Sequence, residues 1–309
     1  MSSARKRAYL ELLGVAVIWG AASPIIKYTL GGFSPAVFLT YRFFISAVIA
    51  VFFFLFTKTK LPRDRKTLVF LILTGFLLTT VDLGLLFLGT DKTSAVDSSL
   101  ISSMAPITTA IAGVFFLKER ITKREGWGLL IALTGTFITV ASPIINGHKD
   151  FAGLEGNLLV FAHIMVGTAA AVLVKKIMRR GVDPAASTNL AFIVGFITIL
   201  PFSISQLVST NMQVITAVPF SYHLGVVYMA VLSGTIAYIL WHRAEKTIEI
   251  GEVGIFAYLY PIFGVPLSVL WLKENVDTPF LIGSAVIIIG VILAEYKRRP
   301  KKELPDHAR

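Results

Sequence analysis

The sequence of 309 residues contains no cysteine, and only 15% of its residues are charged. The absence of cysteine excludes disulfides, thiol catalysis and metal sites with thiolate ligands. The low charge argues against an ordinary soluble domain, in which about a quarter of the residues are charged. Acidic residues are fewer than basic residues, with 18 Asp and Glu against 29 Lys and Arg. No glycine-rich phosphate loop, nucleophile motif or zinc signature is present.

Apolar residues are abundant instead: 55% of the chain is hydrophobic, and its mean hydropathy is +0.76. A helix needs about 20 apolar residues to cross the hydrocarbon core of a bilayer. By that measure the sequence predicts an all-α membrane protein with ten transmembrane helices and no space for a soluble domain. The predicted spans are 8–29, 34–56, 67–89, 93–117, 124–142, 155–177, 184–207, 222–244, 249–272 and 278–296.

One pattern occurs twice, at a constant spacing of about half the chain. The matched residues are Pro106 and Pro261, Lys118-Glu119 and Lys273-Glu274, Gly128 and Gly283, and Gly135 and Gly290. A constant offset of this kind indicates an internal duplication. Because each half contains five predicted spans, an odd number, the second repeat is expected to be inverted in the membrane.

The duplication divides the chain into two five-helix repeats, residues 1–142 and 155–296, with an extracytoplasmic connection at 143–154 and a charged cytoplasmic tail at 297–309. Most Lys and Arg residues fall in alternate connections, so the positive-inside rule places both termini in the cytoplasm. The net charge of +11 lies in short runs between apolar segments. This distribution predicts a lipid bilayer, and not a nucleic acid, as the partner.

A stripe of small and polar residues follows one face of the fourth span, and it favours either tight helix packing or a cavity wall. The stripe comprises Ser94, Ser98, Ser102, Ala105, Thr109 and Ala112. The equivalent face of the ninth span has Val253, Ala257, Tyr260 and Gly264, with Phe256 and Tyr258 nearby. Aromatic residues there replace hydroxyls, so the two walls are expected to differ.

Ionisable residues inside predicted spans are costly in lipid and are therefore candidates for function. Arg42 and Asp82 lie at similar depths, which predicts an ion pair, with Asp97 as a second acceptor. That pair either serves only to neutralise Arg42, or Arg42 holds a substrate carboxylate that one Asp releases. His163 lies near the middle of the sixth span and is expected to be a hydrogen-bonded packing residue. Glu252 is the counterpart of Asp97 in the second half.

Aromatic residues and prolines complete the candidate set. Trp19, Tyr238, Trp241, Tyr258 and Tyr260 are candidates for an aromatic pocket, although each also fits ordinary packing or an interfacial belt. The symmetry-related Pro106 and Pro261 are predicted either to act as hinges or to form static kinks.

Taken together, these residues resemble the EamA-type transporters of the drug/metabolite transporter superfamily. The resemblance rests on Trp19-Gly20, Lys27, Pro35, Arg42, Tyr238 and Trp241, together with the duplicated proline, Lys-Glu and glycine positions. One departure is that both copies have Lys-Glu where Gly-Glu is common in the family. The resemblance implies two inverted five-helix repeats around a central cavity, alternating access, and export of amino acids or related metabolites.

The sequence therefore predicts a secondary transporter, not an enzyme, that exports an aromatic or large neutral amino acid across a prokaryotic plasma membrane. No cofactor or metal is expected, and the protein is predicted to be a monomer or a weak homodimer. An importer or exchanger of another metabolite or an organic anion, with Arg42 as the anion clamp, is the alternative. A membrane-embedded enzyme is the alternative of a different class, but it should show His, Asp or Glu clustered at one interface.

Overall fold

A computed structural model describes residues 3–57, 61–102, 104–118, 123–140, 152–248, 250, 253 and 255–295. Every regular element in these ranges is helical, which confirms the all-α prediction. Seven helices are long and apolar enough to cross a membrane: α1 (Ser3–Leu30), α2 (Pro35–Phe56), α3 (Arg65–Lys92), α4 (Ala95–Leu117), α6 (Gly153–Met178), α7 (Pro184–Ser209) and α8 (Phe220–Thr247).

Three further helices coincide with the other predicted spans but have shorter apolar stretches. They are α5 (Lys123–Val140), α9 (Phe256–Trp271) and α10 (Thr278–Glu295). The described residues thus contain seven helices of spanning length where the sequence predicts ten. Glu119, Glu252, the tail and most of the predicted connection between the halves lie outside the described residues.

Two helices begin at aspartate caps that satisfy their first backbone N–H groups. The carboxylate of Asp64 accepts hydrogen bonds from the amide N (2.9 Å) and the Oγ1 (2.8 Å) of Thr67 at the start of α3. These bonds hold the pKa of the Asp64 carboxyl below its usual value. Asp183 accepts a bond of 2.9 Å from the amide of Ala186 and starts α7 in the same way. The caps explain why each helix begins directly after a short connection.

Several helices depart from regular α geometry near their middles. The third and eighth helices contain π-helical segments, Leu77–Asp82 and Tyr228–Ile236. The fourth helix has a turn at Met104, ahead of the α-helical stretch Ala105–Leu117, and a 3-10 segment, Ile255–Leu259, leads into the α-helical part of the ninth. Such segments often occur at functional sites, because they alter the direction of side chains and free backbone groups. All four lie in helices that surround one internal cavity.

The duplicated prolines, which the sequence predicts to be hinges or static kinks, lie at the starts of α-helical stretches. Pro106 is the second residue of the α-helical stretch Ala105–Leu117, and Pro261 is the second residue of Tyr260–Trp271. In the first turn of a helix the missing N–H of proline removes no helical hydrogen bond. The two prolines therefore fit the beginning of a helical stretch, and a hinge role stays a prediction.

The Lys-Glu motif ends its helix in the same unusual backbone conformation in both halves. Lys118 and Lys273 have positive φ angles of 59° and 58°. The N–H of Lys118 bonds to the carbonyl of Gly113 and closes the last turn of α4. This left-handed position favours glycine, because a Cβ is strained there. The conformation is one that a glycine, as in the Gly-Glu form that the resemblance implies, would adopt without strain.

Replacing Lys273 with glycine is expected to stabilise the protein by about 1 kcal/mol, since it removes the strain of a side chain in the left-handed region. Lys273 is exposed, so few contacts are lost. Thermal unfolding of the purified protein in detergent would measure the change. The Lys273→Ala variant, which removes the charge but keeps the Cβ, is the matched control, and equal stability of the two variants would contradict the explanation.

Close packing of two helices brings glycines from both halves together. A Cβ built on Gly135 of α5 would lie 2.7 Å from the carbonyl O of Gly283 and 2.8 Å from the amide N of Ile287 in α10. A Cβ on Gly290 would lie 2.6 Å from the carbonyl O of Gly128. The backbones of α5 and α10 therefore touch, as the small-residue motif predicts. The remaining helices pack mainly as the pairs α1 and α8, α2 and α7, α3 and α6, and α4 and α9.

Candidate functional site

A cavity of about 170 Å³ lies between α1, α3, α4, α6, α8 and α9, and Arg42 of α2 also reaches it. Among the described residues, none from α5, α7 or α10 contributes to its wall. Pockets for drug-sized ligands usually have volumes of about 300–1,000 Å³. The cavity is smaller than these, so it suits a small metabolite.

One wall of the cavity is aromatic and is organised around Trp19. The Trp19 ring lies 4.9 Å from the ring of Tyr238, 5.0 Å from that of Trp241 and 6.1 Å from that of Tyr260. Its indole N–H donates a 2.9 Å bond to the carbonyl of Ser233, in the π-helical segment of α8. All four aromatic residues line the cavity. They provide a fixed surface against which an apolar or aromatic group can pack.

Arg42 is the most unusual group in the cavity wall, because its charge is buried without an acidic partner. Its side chain is only 1% exposed, and its Nε and Nη1 atoms have no hydrogen-bond partner. The guanidinium lies over the rings of Phe43 (5.6 Å) and Phe87 (5.5 Å). Within the described part of the chain, no carboxylate lies within ion-pair distance of it. Its donors are therefore available to an anionic group in the cavity.

Asp82 pairs with His163, and not with Arg42 as its depth predicts. Its Oδ1 lies 2.7 Å from Nδ1 of His163, and its backbone O lies 3.2 Å from the same nitrogen. A Cβ built on Gly167, one turn further along α6, would lie 2.9 Å from Oδ1. The absence of a side chain at Gly167 thus leaves space for the carboxylate beside His163. The depth of a residue in the membrane does not specify which way its side chain points about the helix axis. The predicted Arg42–Asp82 pair was wrong for this reason.

The serine stripe of α4 reaches the cavity only in part. Ser102, Ala105 and Thr109 line it, but Ser99 does so in place of the predicted Ser98. Ser98 is fully buried and its Oγ lies 3.0 Å from Oγ1 of Thr90 in α3. Ser98, Ser99 and Ser102 belong to one α-helical stretch, Ala95–Ser102. Ser99 and Ser98 lie three and four residues before Ser102, and both spacings fit one helix face, so the sequence pattern does not decide between them.

Three other predicted site residues lie away from the cavity. Asp97 is in the first turn of α4, where its backbone N–H bonds to Oγ of Ser94 at 2.9 Å. Phe256 packs on Tyr9, with ring centroids 5.6 Å apart. Tyr258 packs against the apolar cluster around Met104. The 3-10 segment turns Phe256 and Tyr258 away, while Ala257 and Tyr260 face the cavity.

The sequence analysis did not identify two buried charges, Glu245 in the cavity wall and Lys175 beside it. The Oε1 of Glu245 accepts a 3.0 Å bond from the indole N–H of Trp241, whereas its Oε2 is buried without a hydrogen-bond partner. The Nζ of Lys175 donates to the carbonyls of Glu245 and Ile248. The predicted eighth span stops at residue 244, which excluded Glu245. The four-residue spacing of Trp241 and Glu245 on one helix face was the available signal.

The Glu274 carboxylate joins the two halves of the chain at the start of α4. Its two oxygens accept 2.8 Å bonds from the backbone N–H groups of Ala95 and Val96 at the start of α4. Lys27 of α1 donates a 2.9 Å bond to the carbonyl of Asp91 nearby. A carboxylate is favourable at a helix N-terminus, where backbone N–H groups lack partners. This contact gives the glutamate of the duplicated motif a specific structural role.

The residues around the cavity do not resemble a metal centre. Within the described ranges, no group of three or more His, Asp or Glu side chains is placed to hold a metal ion. The polar groups that face the cavity are hydroxyls, indoles, the imidazoles of His163 and His242, Arg42, and the carboxylates of Asp82 and Glu245. Their chemistry can bind and orient a polar ligand.

Comparison with known proteins gives a family match over nearly the whole chain. The profile of the EamA-like transporter family matches twice, at residues 6–141 and 154–296. One solved crystal structure superposes with a TM-score of 0.63 over 94% of this chain and 96% of the other, at 17% sequence identity. That likeness concerns the fold alone.

Curated relatives align over almost their full lengths. The "Uncharacterized transporter YyaM" of Bacillus subtilis is 26% identical over 93% of this chain and 92% of the relative. Two proteins named "Probable amino-acid metabolite efflux pump" are 24% identical in Salmonella typhimurium and 23% identical in Escherichia coli. Each of these two alignments covers 96% of this chain and 97% of the relative.

Proposed function

The chain belongs to the EamA-like transporter family, within the drug/metabolite transporter superfamily, and from that premise we propose that it exports aromatic or large neutral amino acids. The observation that carries the proposal is the buried guanidinium of Arg42, whose Nε and Nη1 lack partners inside an aromatic cavity. The proposed membrane is a prokaryotic plasma membrane. The names of two relatives, which refer to amino-acid metabolite efflux, agree with this substrate class.

The cavity has features that complement the parts of such a substrate. A guanidinium binds a carboxylate through two parallel hydrogen bonds, which adds geometric specificity. An apolar or aromatic side chain would pack on the surface formed by Trp19, Tyr238, Trp241 and Tyr260, where such contacts are favourable. Arg42 would therefore select the carboxylate, and the aromatic wall would select the side chain.

The proposed mechanism is alternating access between two inverted five-helix repeats, residues 1–142 and 155–296, with both termini in the cytoplasm. Pro106 and Pro261 would be the points at which α4 and α9 bend. Substrate would shift the populations of the inward-open and outward-open states. The contact of Glu274 with the start of α4 would then open and close with the extracytoplasmic end. The protein is proposed to act as a monomer or a weak homodimer, without a cofactor.

Uptake or exchange of an organic anion is the second candidate, because Arg42 alone would also bind a carboxylate that has no amino group. A comparison of an amino acid with its desamino analogue separates the two candidates. No observation favours the third alternative, a membrane-embedded enzyme.

The proposal predicts selective efflux from liposomes that contain the purified protein. Liposomes loaded with the twenty amino acids are expected to lose aromatic and large neutral ones first. Tyr260→Leu, which removes a ring from the wall, should weaken the apparent affinity for these substrates about tenfold, as expected for the loss of an aromatic contact. Tyr258→Leu, two residues earlier and outside the cavity wall, is the matched control. Absence of efflux of any amino acid from folded protein would contradict the proposal.

A further inference from the structure

The pair formed by Asp82 and His163 combines three properties that the proposed binding of substrate does not explain. Both side chains line the cavity, and Oδ1 of Asp82 is 2.7 Å from Nδ1 of His163. Asp82 ends a π-helical segment, Leu77–Asp82, a local geometry that often marks functional sites. It also lies ten residues from the end of α3 at Lys92, which corresponds to about 15 Å along the helix.

The ionisable groups around this pair come from several helices. Arg42 of α2, Tyr238, His242 and Glu245 of α8, and Tyr260 of α9 line the same cavity, and Lys175 follows on α6. The Tyr238 ring is close enough to interact electrostatically with both Asp82 and Arg42. α7 has no titratable residue between Pro184 and Ser209, and those of α5 are confined to its start. α1 and α4 present only Trp19, serine, threonine and apolar side chains to the cavity.

The other acidic and imidazole groups of the cavity wall, Glu245 and His242, contact other partners, although Oε2 of Glu245 has no hydrogen-bond partner. Trp241 donates to Oε1 of Glu245, and Lys175 donates to its carbonyl. The Nδ1 of His242 lies 2.9 Å from Oγ1 of Thr188. Asp82 and His163, in contrast, face each other in the cavity that Arg42 also lines, and Oδ1 of Asp82 has the 2.7 Å contact with His163 but no hydrogen-bond partner. A proton shared by this pair would change the charge next to any ligand that Arg42 binds.

We propose that the Asp82–His163 pair is a proton-exchange site, at which a proton and the ammonium group of an amino acid bind in turn. This inference rests on the proposed function. Arg42 and Asp82 line the same cavity. An amino acid whose carboxylate is on Arg42 therefore has its ammonium group, attached to the same carbon, inside the cavity that Asp82 faces, and we infer that the ammonium binds there. The ammonium then balances the charge of the Asp82 carboxylate, and the proton leaves the pair for water on that side of the membrane.

The return step restores the proton from the opposite side. When the cavity opens there, a proton from water binds the pair, the ammonium loses its counter-charge, and the substrate leaves. Each cycle thus moves one proton inward and one amino acid outward. Alternate binding of a proton and of an ammonium group at one carboxylate is sufficient for this coupling, and no other residue has to change its charge.

The first test uses the protein alone and does not require a known substrate. The chain has five histidines, so the NMR signals of ¹³C-labelled histidine can be followed across a pH titration, and a His163→Gln variant assigns the signal of His163. Asp82→Asn is expected to shift the titration midpoint of His163 by about one pH unit or more, because it removes an adjacent carboxylate. Asp97→Asn, which removes a carboxylate outside the cavity, is the matched control. An unchanged midpoint in Asp82→Asn would overturn the inference.

The second test measures coupling in proteoliposomes, with labelled phenylalanine as the probe and the membrane potential held at zero. With the interior one pH unit more acidic, the wild type is expected to accumulate phenylalanine up to about tenfold, the limit for one-to-one exchange. The Asp82→Asn variant should only equalise the phenylalanine concentrations inside and outside, while Asp97→Asn should behave as the wild type. Gly167→Ala, whose Cβ would lie 2.9 Å from Oδ1, should reduce accumulation without a change of charge.

The outcomes separate the inference from the function on which it rests. If phenylalanine transport by the wild type does not depend on the pH gradient, the proton site is overturned and the proposed function stays intact. Failure to transport any amino acid would contradict the proposed function, and the histidine titration would still decide whether Asp82 and His163 bind a proton together. Proton-coupled movement of phenylpropionate, which has no amino group, would contradict the role of the ammonium.

Discussion

Replacing Arg42 with methionine is expected to abolish transport of carboxylates while leaving the protein at least as stable as the wild type. This combination distinguishes a binding residue from a structural one. A buried arginine that stabilises the fold should lower stability when it is removed. The Nε and Nη1 atoms of Arg42 have no hydrogen-bond partner, so its removal breaks no such bond at these atoms.

The expected change in stability follows from the balance of two energies. Burying a charge without a partner costs several kcal/mol, even after local relaxation. The contacts of the guanidinium with the rings of Phe43 and Phe87 return about 1–2 kcal/mol each at most. The cost of desolvating the guanidinium outweighs these contacts, so an apolar side chain of similar length should be tolerated or stabilising. Thermal unfolding in detergent would measure the difference.

The expected loss of transport is on the order of a hundredfold or more in the apparent affinity for a carboxylate. A hydrogen-bonded charge pair contributes about 3 kcal/mol when it is desolvated, and each 1.36 kcal/mol corresponds to a factor of ten. Arg42→Lys is the matched control, since it keeps the charge but cannot form two parallel bonds. It should retain part of the activity. An Arg42→Met protein that is folded and transports carboxylates normally would show that Arg42 does not bind the substrate.

Regular helical periodicity predicts which residues lie in the membrane better than it predicts the direction in which they point. Trp19, Tyr238 and Trp241 line the cavity, and their hydrophobic surroundings and depth were sufficient to select them. The predicted Arg42–Asp82 pair was wrong because the π-helical segment and the gap at Gly167 direct Asp82 toward His163. Depth is a property of sequence position, whereas rotation about the helix axis depends on every irregular turn that precedes the residue.

The same limit explains the other differences between prediction and structure. Ser99 replaces Ser98 on the cavity wall although both belong to the α-helical stretch Ala95–Ser102, because spacings of three and four residues both fit one helix face. Glu245 was overlooked because a charged residue near the end of an apolar stretch normally faces the membrane surface. Here Lys175 and Trp241 provide partners that allow Glu245 to stay buried. Lys175 is far from Glu245 in sequence, so only the folded structure associates the two charges.

Replacing Gly290 with leucine is expected to have the largest effect on stability of any single change at the interface between α5 and α10. A Cβ at this position would overlap the backbone N of Ala132 and lie 2.6 Å from the carbonyl O of Gly128. These are backbone atoms and cannot rotate away as a side chain would. The two helices must therefore separate along their contact, and every apolar contact near Gly290 weakens at the same time.

The size of the substituent should set the size of the effect. Gly290→Ala adds one methyl group and should destabilise by about 2 kcal/mol, within the range for overpacked sites. Gly290→Leu should exceed this and lower the yield of folded protein. Gly126→Ala, also on α5, is the matched control, because a Cβ there would have nothing within 4 Å. Since alanine favours helix more than glycine does, the control should be neutral or slightly stabilising.

Transport by the folded fraction then tells whether these two helices form only a scaffold. Among the described residues, α5 and α10 contribute no side chain to the cavity wall. Folded Gly290→Ala protein should therefore keep the substrate affinity of the wild type, although it unfolds at a lower temperature. A loss of affinity without a loss of stability would contradict the scaffold role, because it would mean that the α5–α10 contact changes as the cavity opens and closes.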